Sequence, residues 1–384
     1  MSAEVVNRFT FDVLNQLYLS QNSTENIAFC GTVLYLMMGV IGIGLRGRSY
    51  EKLSNFLHQD VDEFIDNESW VKSENAKMWS KLRRKSYIEK ISRISIFYSG
   101  QLSAYYYKIS RRIFMLKHTQ INHSNPEESA DEINRWITWT VFDDNIWKVV
   151  KKSMVSENEI LFISTIFFNL KWKDKFYKYR RDRWFFGDND EALIVEMMYQ
   201  PGIYNIYIQP IINFRIIYIH LNNDDLLLSI VVPGDTCSTD EMLKSFKIEQ
   251  MSTYINQSKV ENVTLLLPKF QIAVSYDFVS ALMTIGMTDL FYRNDSDFGR
   301  MTNHSVVMKN LFQVTSVSVD EFGINSGEHE WYHGESSVDD NISLFIPNRH
   351  RRKFRIDRPF LFLIYSIEHN LVHFSALVKK PTVN

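Results

Sequence analysis

The stretch that decides the fold is Val319-Asp320-Glu321-Phe322-Gly323, together with its counterpart Phe354-Arg355-Ile356-Asp357-Arg358-Pro359-Phe360-Leu361-Phe362-Leu363-Ile364. The first closes a strand that starts near Val306. The second opens a dense apolar strand region that runs to Val378. Between them lies a long polar stretch, and a connection of that length is as a rule functional or unstructured. The pattern predicts two strands that hold a functional loop.

Working outward, residues 4–20 repeat apolar positions at helical spacing (Val5, Phe9, Val13, Leu14, Leu17) and predict an amphipathic helix. Ile27 to Leu45 is an uncharged run of 19 residues, long enough to span a bilayer. Glu25 and Arg46 clamp it and four glycines interrupt it, so a buried core helix is expected instead. A polar helical region with Trp70, Trp79 and a basic cluster comes next. A strand is expected over 91–97, a helix over Ile133 to Val150, and a strand buried on both faces over Leu161 to Phe168. Strands then dominate at 204–220, 226–232, 261–273, 306–319 and 359–378, with helices at 239–247 and 276–286 between them. No repeat or low-complexity linker divides the chain, so a single α+β domain over 1–384 is expected.

Composition excludes several classes. At 45% hydrophobic and 23% charged the chain has ample core material, and a net charge of -2 argues against bulk attraction to nucleic acid or anionic membrane. Two cysteines, Cys30 and Cys237, are too few for a disulfide framework. The first residues show no basic start followed by an apolar core, so an intracellular protein is expected, with secretion by another route left open. Alanine is scarce while Ile, Asn, Tyr and Phe are plentiful. That bias has no folding reason and reads as coding in an AT-rich genome such as that of a large DNA virus, which would place the protein in the host cytoplasm.

The flanks of the loop resemble the serpin family, the serine protease inhibitors: a strand, a hinge glycine after acidic residues, an exposed bait loop, then R-P-F-L-F-L-I. Further likenesses keep the family's order: Asn26-Ile27-Ala28-Phe29 with Gly44-Leu45-Arg46-Gly47, Ile166-Phe167-Phe168 with Trp172 and Phe176, Val195-Glu196-Met197-Met198, and Leu267-Pro268-Lys269-Phe270. The resemblance spans roughly residues 8 to 381. With the compositional bias it suggests a poxvirus-type member. It implies a serpin fold with a large mixed central sheet, further sheets, about nine helices and a reactive-centre loop over about 323–355. It also implies an inhibitor rather than an enzyme, a monomer without cofactor, and a host serine (or cysteine) protease as partner.

In that family the protease cuts the loop, whose first half then inserts as a new strand into a sheet. On the register the resemblance implies, period two would turn Ile324, Ser326, Glu328, Glu330 and Tyr332 inward. Inhibitory members carry small residues there. Two inward carboxylates would cost on the order of several kcal/mol, which predicts weak or absent suicide inhibition. Other departures are Cys30-Gly31-Thr32 at the start of the buried helix, Ser164 for an expected Asn and Gln313 for an expected His, all in the region where the sheet opens; Trp172 of that region is kept.

Counting forward from the hinge (Glu321, Gly323) puts the scissile bond near Ser337, and counting back from the last strand puts it near Asn348. The second count falls beside Arg349-His350-Arg351-Arg352-Lys353, which suits proteases with acidic pockets. Two alternatives remain open: an active inhibitor of an Arg-specific serine protease with bait at Arg349 or Arg352, and a non-inhibitory interaction scaffold.

Three other patterns bear on function. His329-Glu330-Trp331-Tyr332-His333 spells H-E-x-x-H, but Gly327 and Gly334 bracket it and no third ligand is evident, so no metal site is expected. Lys81, Arg83, Arg84 and Lys85 form a basic run of the kind that binds polyanions in heparin-binding serpins. Lys171 to Arg181 interleaves cations with aromatics as single-strand nucleic-acid sites do, yet Trp172 and Phe176 are accounted for by the resemblance, and no nucleic acid is expected.

Overall fold

The computed structural model describes residues 2–21, 25–59, 73–86, 90–143, 146, 148–180, 183–188, 191–211, 214–292, 296–326 and 351–382. These residues hold nine α-helices and several sheets. They cluster into two compact units, each built from separated stretches of chain: 1–168, 272–316 and 369–375 in the first, 169–271, 317–368 and 376–384 in the second.

In the first unit, helix Ala3–Ser20 buries Phe9, Val13, Leu14 and Leu17 as its periodicity predicts, while Val6 rather than the expected Val5 is the buried residue of the first turns. The uncharged run is not one helix. Ile27–Phe29 is a short strand, and the helix proper is Gly31–Gly42, every residue of it buried. Gly39 is required there, since a Cβ would come within 2.5 Å of the Trp79 ring. Among the described residues no helix is long and apolar enough to cross a membrane.

The sheet of this unit runs Lys117–Gln120, Lys90–Tyr98, Glu159–Phe168, Val307–Val319, and Phe270–Asp277 also pairs with the last. Glu159–Phe168 is buried on both faces as expected, because helix Pro126–Val141 covers Leu161 and Ile163 along with Phe97, Phe312 and Val314. That helix corrects the expected 133–150. It starts at an Asn125 cap with Pro126 in the first turn, and ends where Phe142 takes a left-handed conformation. The apolar residues beyond it fold back, held by Asn134, whose side chain bonds both the N–H and the C=O of Val150 at 2.9 and 2.8 Å.

In the second unit the main sheet runs Phe360–Ser366, Asn223–Pro233, Phe214–Leu221, Met197–Ile208, Lys259–Pro268, Arg352–Arg355, with Tyr177–Lys178 also pairing to Met197–Ile208. Three expected single strands are pairs: 204–220 divides after Ile208, 261–273 at Lys269, and 359–378 at residues 367–370. The expected helix at 276–286 shrinks to Val279–Thr284, because Tyr276 and Asp277 end the preceding strand. A separate two-stranded hairpin joins Arg183–Phe186 to Ala192–Val195.

Candidate functional site: the loop hinge

The hinge lies in the second unit, where strand Val307–Val319 ends and the chain turns through Asp320 to Ile324. Asp320 Oδ1 accepts from Phe322 N and Gly323 N at 2.8 and 3.1 Å, a side chain folding its own backbone into a turn. The chain then reverses. Gly323–Ile324 forms a two-residue strand, antiparallel to Leu170–Lys171 on one side and paired through Ile324 with Val319 on the other. Gly323 is obligatory here, because a Cβ would fall 2.0 Å from the Leu170 carbonyl oxygen. Ile324 is fully buried.

Three contacts fix this turn. Trp172 Nε1 donates to the Asp320 carbonyl at 2.8 Å, and Trp172 N to the Phe322 carbonyl at 3.1 Å. Glu321 meets Lys269 Nζ at 2.7 Å with both side chains only 15% exposed, and Glu196 approaches the same ammonium at 3.5 Å. Burial draws the Lys269 ammonium down, but the hydrogen bond and charge of Glu321, with Glu196 behind them, outweigh it and hold the pKa above its ordinary value.

The short strand stops at Asn325. Its φ of 48° is left-handed, a region Asn tolerates better than most residues. Its N–H donates to the Ser318 carbonyl at 2.7 Å, and Ser318 N donates back to Asn325 Oδ1 at 2.6 Å. The side-chain carbonyl thus takes a place that a continuing ladder would give to the backbone carbonyl. Ser326, the next inward position, is half-buried. Glu328, Glu330, His329, His333, Asn348 and Arg349 lie outside the described residues. Arg351 is half-buried, and Arg352 begins the strand Arg352–Arg355, parallel to Val263–Leu266, with its guanidinium 3.1 Å from Glu261.

Ser164 and Gln313 are brought together in the first unit. They are register partners in the parallel pairing of Glu159–Phe168 with Val307–Val319, and both are fully buried. The Gln313 amide makes three bonds: Oε1 accepts from Cys30 N at 2.5 Å, while Nε2 donates to Cys30 O at 3.3 Å and Ser164 Oγ at 3.2 Å. One primary amide thereby ties two strands to the entry of the buried helix. Of the basic run, Lys81 and Arg84 stand on the exposed face of helix Glu74–Ser86, whereas Arg83 and Lys85 are half-buried beside Leu82 and Ser86.

Residues 4–381 match the profile of the family described as serpin (serine protease inhibitor). This chain belongs to the serpin family. Its relatives include mouse Serpin B11, 22% identical with 95% of each chain covered, and the Xenopus laevis leukocyte elastase inhibitor, 25% identical with 93% of each covered. An archaeal serpin-like protein from Methanosarcina mazei is 24% identical over 99% of this chain and 87% of its own. The structure of native protease nexin-1 with heparin superposes with a TM-score of 0.82 at 17% identity, covering 99% of both chains. The serpin fold read from the loop flanks is therefore the fold observed, in a family of protease inhibitors rather than enzymes.

What sequence reasoning missed at the hinge of this serpin is the Asn325 stop and the Lys269–Glu321 pair. The first depends on a backbone angle and a partner seven residues upstream. The second joins residues 52 positions apart, although Lys269 stands in the quoted Leu267-Pro268-Lys269-Phe270 motif.

Proposed function

We propose that this serpin is a protease-binding protein whose loop is cut rather than used to trap the protease covalently. The burial of Ile324 carries the reading. It sets the parity of the loop, and period two from Ile324 turns Ser326, Glu328 and Glu330 to the same side. Two unpaired carboxylates entering a sheet interior cost on the order of several kcal/mol, enough to slow insertion behind hydrolysis of the acyl-enzyme. The Asn325 stop supports the same conclusion, since a longer inserted strand has to dismantle it first.

The second reading is active inhibition of an Arg-specific serine protease, favoured by the cluster Arg349-His350-Arg351-Arg352. Of its candidate baits, Arg352 is engaged in strand pairing and Arg349 is the better placed by spacing. Incubation with trypsin and with furin-like proteases decides between them: clean cleavage supports the first reading, and a gel-stable covalent complex establishes the second. A scaffold role would leave partner binding intact after cleavage. Polyanion binding through Lys81 and Arg84 belongs to either reading, and a viral, poxvirus-type source rests on composition alone.

A further inference from the structure

One face of the main sheet in the second unit gathers tyrosines and cations. Register aligns Tyr177 with Tyr199, Tyr199 with Leu266, and Leu266 with Arg355, a single row across four strands. Two residues along on the same face, Lys353 aligns with Thr264. The Tyr177 and Tyr199 rings lie 5.5 Å apart, and Tyr179 meets Tyr199 edge-on at 5.9 Å. Arg183 stacks its guanidinium 5.1 Å from the Tyr179 ring centre and donates from Nη2 to the Tyr179 hydroxyl at 2.6 Å.

Two features of this face leave polar groups without a partner among the described residues. Arg can only donate, so the Tyr179 oxygen is the acceptor and its own proton is left for another acceptor, which no described residue supplies. Arg183, Lys353 and Arg355 are all exposed, and among the described residues no carboxylate forms an ion pair with them. The hydrogen bond from Arg183 holds the Tyr179 phenol below its ordinary pKa against the opposing effect of burial, and the charges of Arg183, Lys353 and Arg355 act in the same direction.

The geometry points to a binding site for a phosphate or sulfate monoester of an aromatic carrier, held by Tyr179, Arg183, Lys353 and Arg355 with its ring against Tyr177. Three cations without an ion pair among the described residues suit an oxyanion. The planar fork of Arg matches such oxygens, and the free phenol proton adds a neutral donor. Tyr177, 42% exposed, supplies the aromatic wall. Lys353 and Arg355 belong to the strand by which the loop returns to the fold, so the ester would sit beside the return limb. The assignment does not rest on whether the loop inhibits.

The test is calorimetric titration of the full chain at low ionic strength with phenyl phosphate and phenyl sulfate, and with inorganic phosphate as the carrier-free probe. Saturable binding of one ester, tighter than inorganic phosphate, is expected; the tighter ester identifies the source as phosphate or sulfate. Tyr179→Phe, Arg183→Gln and Arg355→Gln should each weaken it by about tenfold, while Arg84→Gln should leave it unchanged. The bound anion should also move the Tyr179 titration, followed by tyrosinate absorbance, to higher pH. Absence of saturable binding by both esters overturns the assignment. So does equal binding of inorganic phosphate, or binding untouched by all three variants in proteins that melt like the parent.

Discussion

Asn325 and Ser318 exchange two hydrogen bonds, one through the Asn325 backbone N–H at 2.7 Å and one into its side-chain carbonyl at 2.6 Å. A side chain therefore closes the ladder that the loop has begun, and the first residues of the loop are held in place before any protease arrives. Asn325→Ala removes the acceptor and puts a less tolerant residue at positive φ. The variant should lose about 1 kcal/mol in denaturant unfolding, and the Ser318 amide should exchange with solvent faster. Unchanged exchange at Ser318 would show that the stop is not maintained in solution.

The Lys269–Glu321 pair gives a pH signature. Because the Lys269 pKa is raised on folding, its contribution is complete below the unfolded lysine value of about 10.4 and is lost as pH climbs through the higher folded value. Lys269→Met leaves Glu321 partly buried without its cation and should cost about 2 kcal/mol at neutral pH. The difference in stability between parent and variant should stay flat from neutral pH upward and shrink only in strong alkali. A difference that fades already near neutrality would assign the effect to another group.

Gln313→Leu keeps the volume but removes all three amide bonds, leaving the buried Cys30 N–H without its acceptor. A loss of about 2 kcal/mol is expected in equilibrium unfolding. Gln313→Glu should be worse, since a carboxylate cannot donate to Ser164 and would be buried unpaired. If Leu is tolerated without loss, the amide does not hold the strands.

Limited trypsin digestion should nick the protein first after Arg349 or Arg351, because Arg352 and Lys353 are tied into a parallel strand pair. The C-terminal fragment of roughly thirty residues should remain attached until denaturant is added, as Phe360–Ser366 is wholly buried and paired with Asn223–Pro233. The cut protein should melt within a few degrees of the intact one. A rise of tens of degrees would mean that the loop inserts despite Glu328 and Glu330, and intact mass would reveal a first cut elsewhere.

Much of this was legible in the sequence, for physical reasons that differ by element. The strand before the loop is written in a β-patterned stretch and one after it in an apolar run too dense for any surface segment, and the structure has them at Val307–Val319 and Phe360–Ser366. Ends were harder to read. Val149 and Val150 lie at helical spacing after Ile133 and Ile137, yet they pack against the same core through a loop, because burial selects distance from the core and not the backbone path. The Asn125-Pro126 start lay outside the apolar periodicity from which the helix was read. The alignment of Tyr177 and Tyr199 with Arg355 could not be read, since each is an ordinary residue on its own segment and only strand register joins them.

Gln313 stands where the family pattern leads one to expect a histidine, and a primary amide has no proton to gain or shed in any compartment a cell maintains. The latch between Cys30, Ser164 and Gln313 is therefore deaf to acidification. An imidazole at that position would let a falling pH loosen the strands. The amide of Gln313 offers no such proton, so its three bonds stay as they are whatever the pH around the protein.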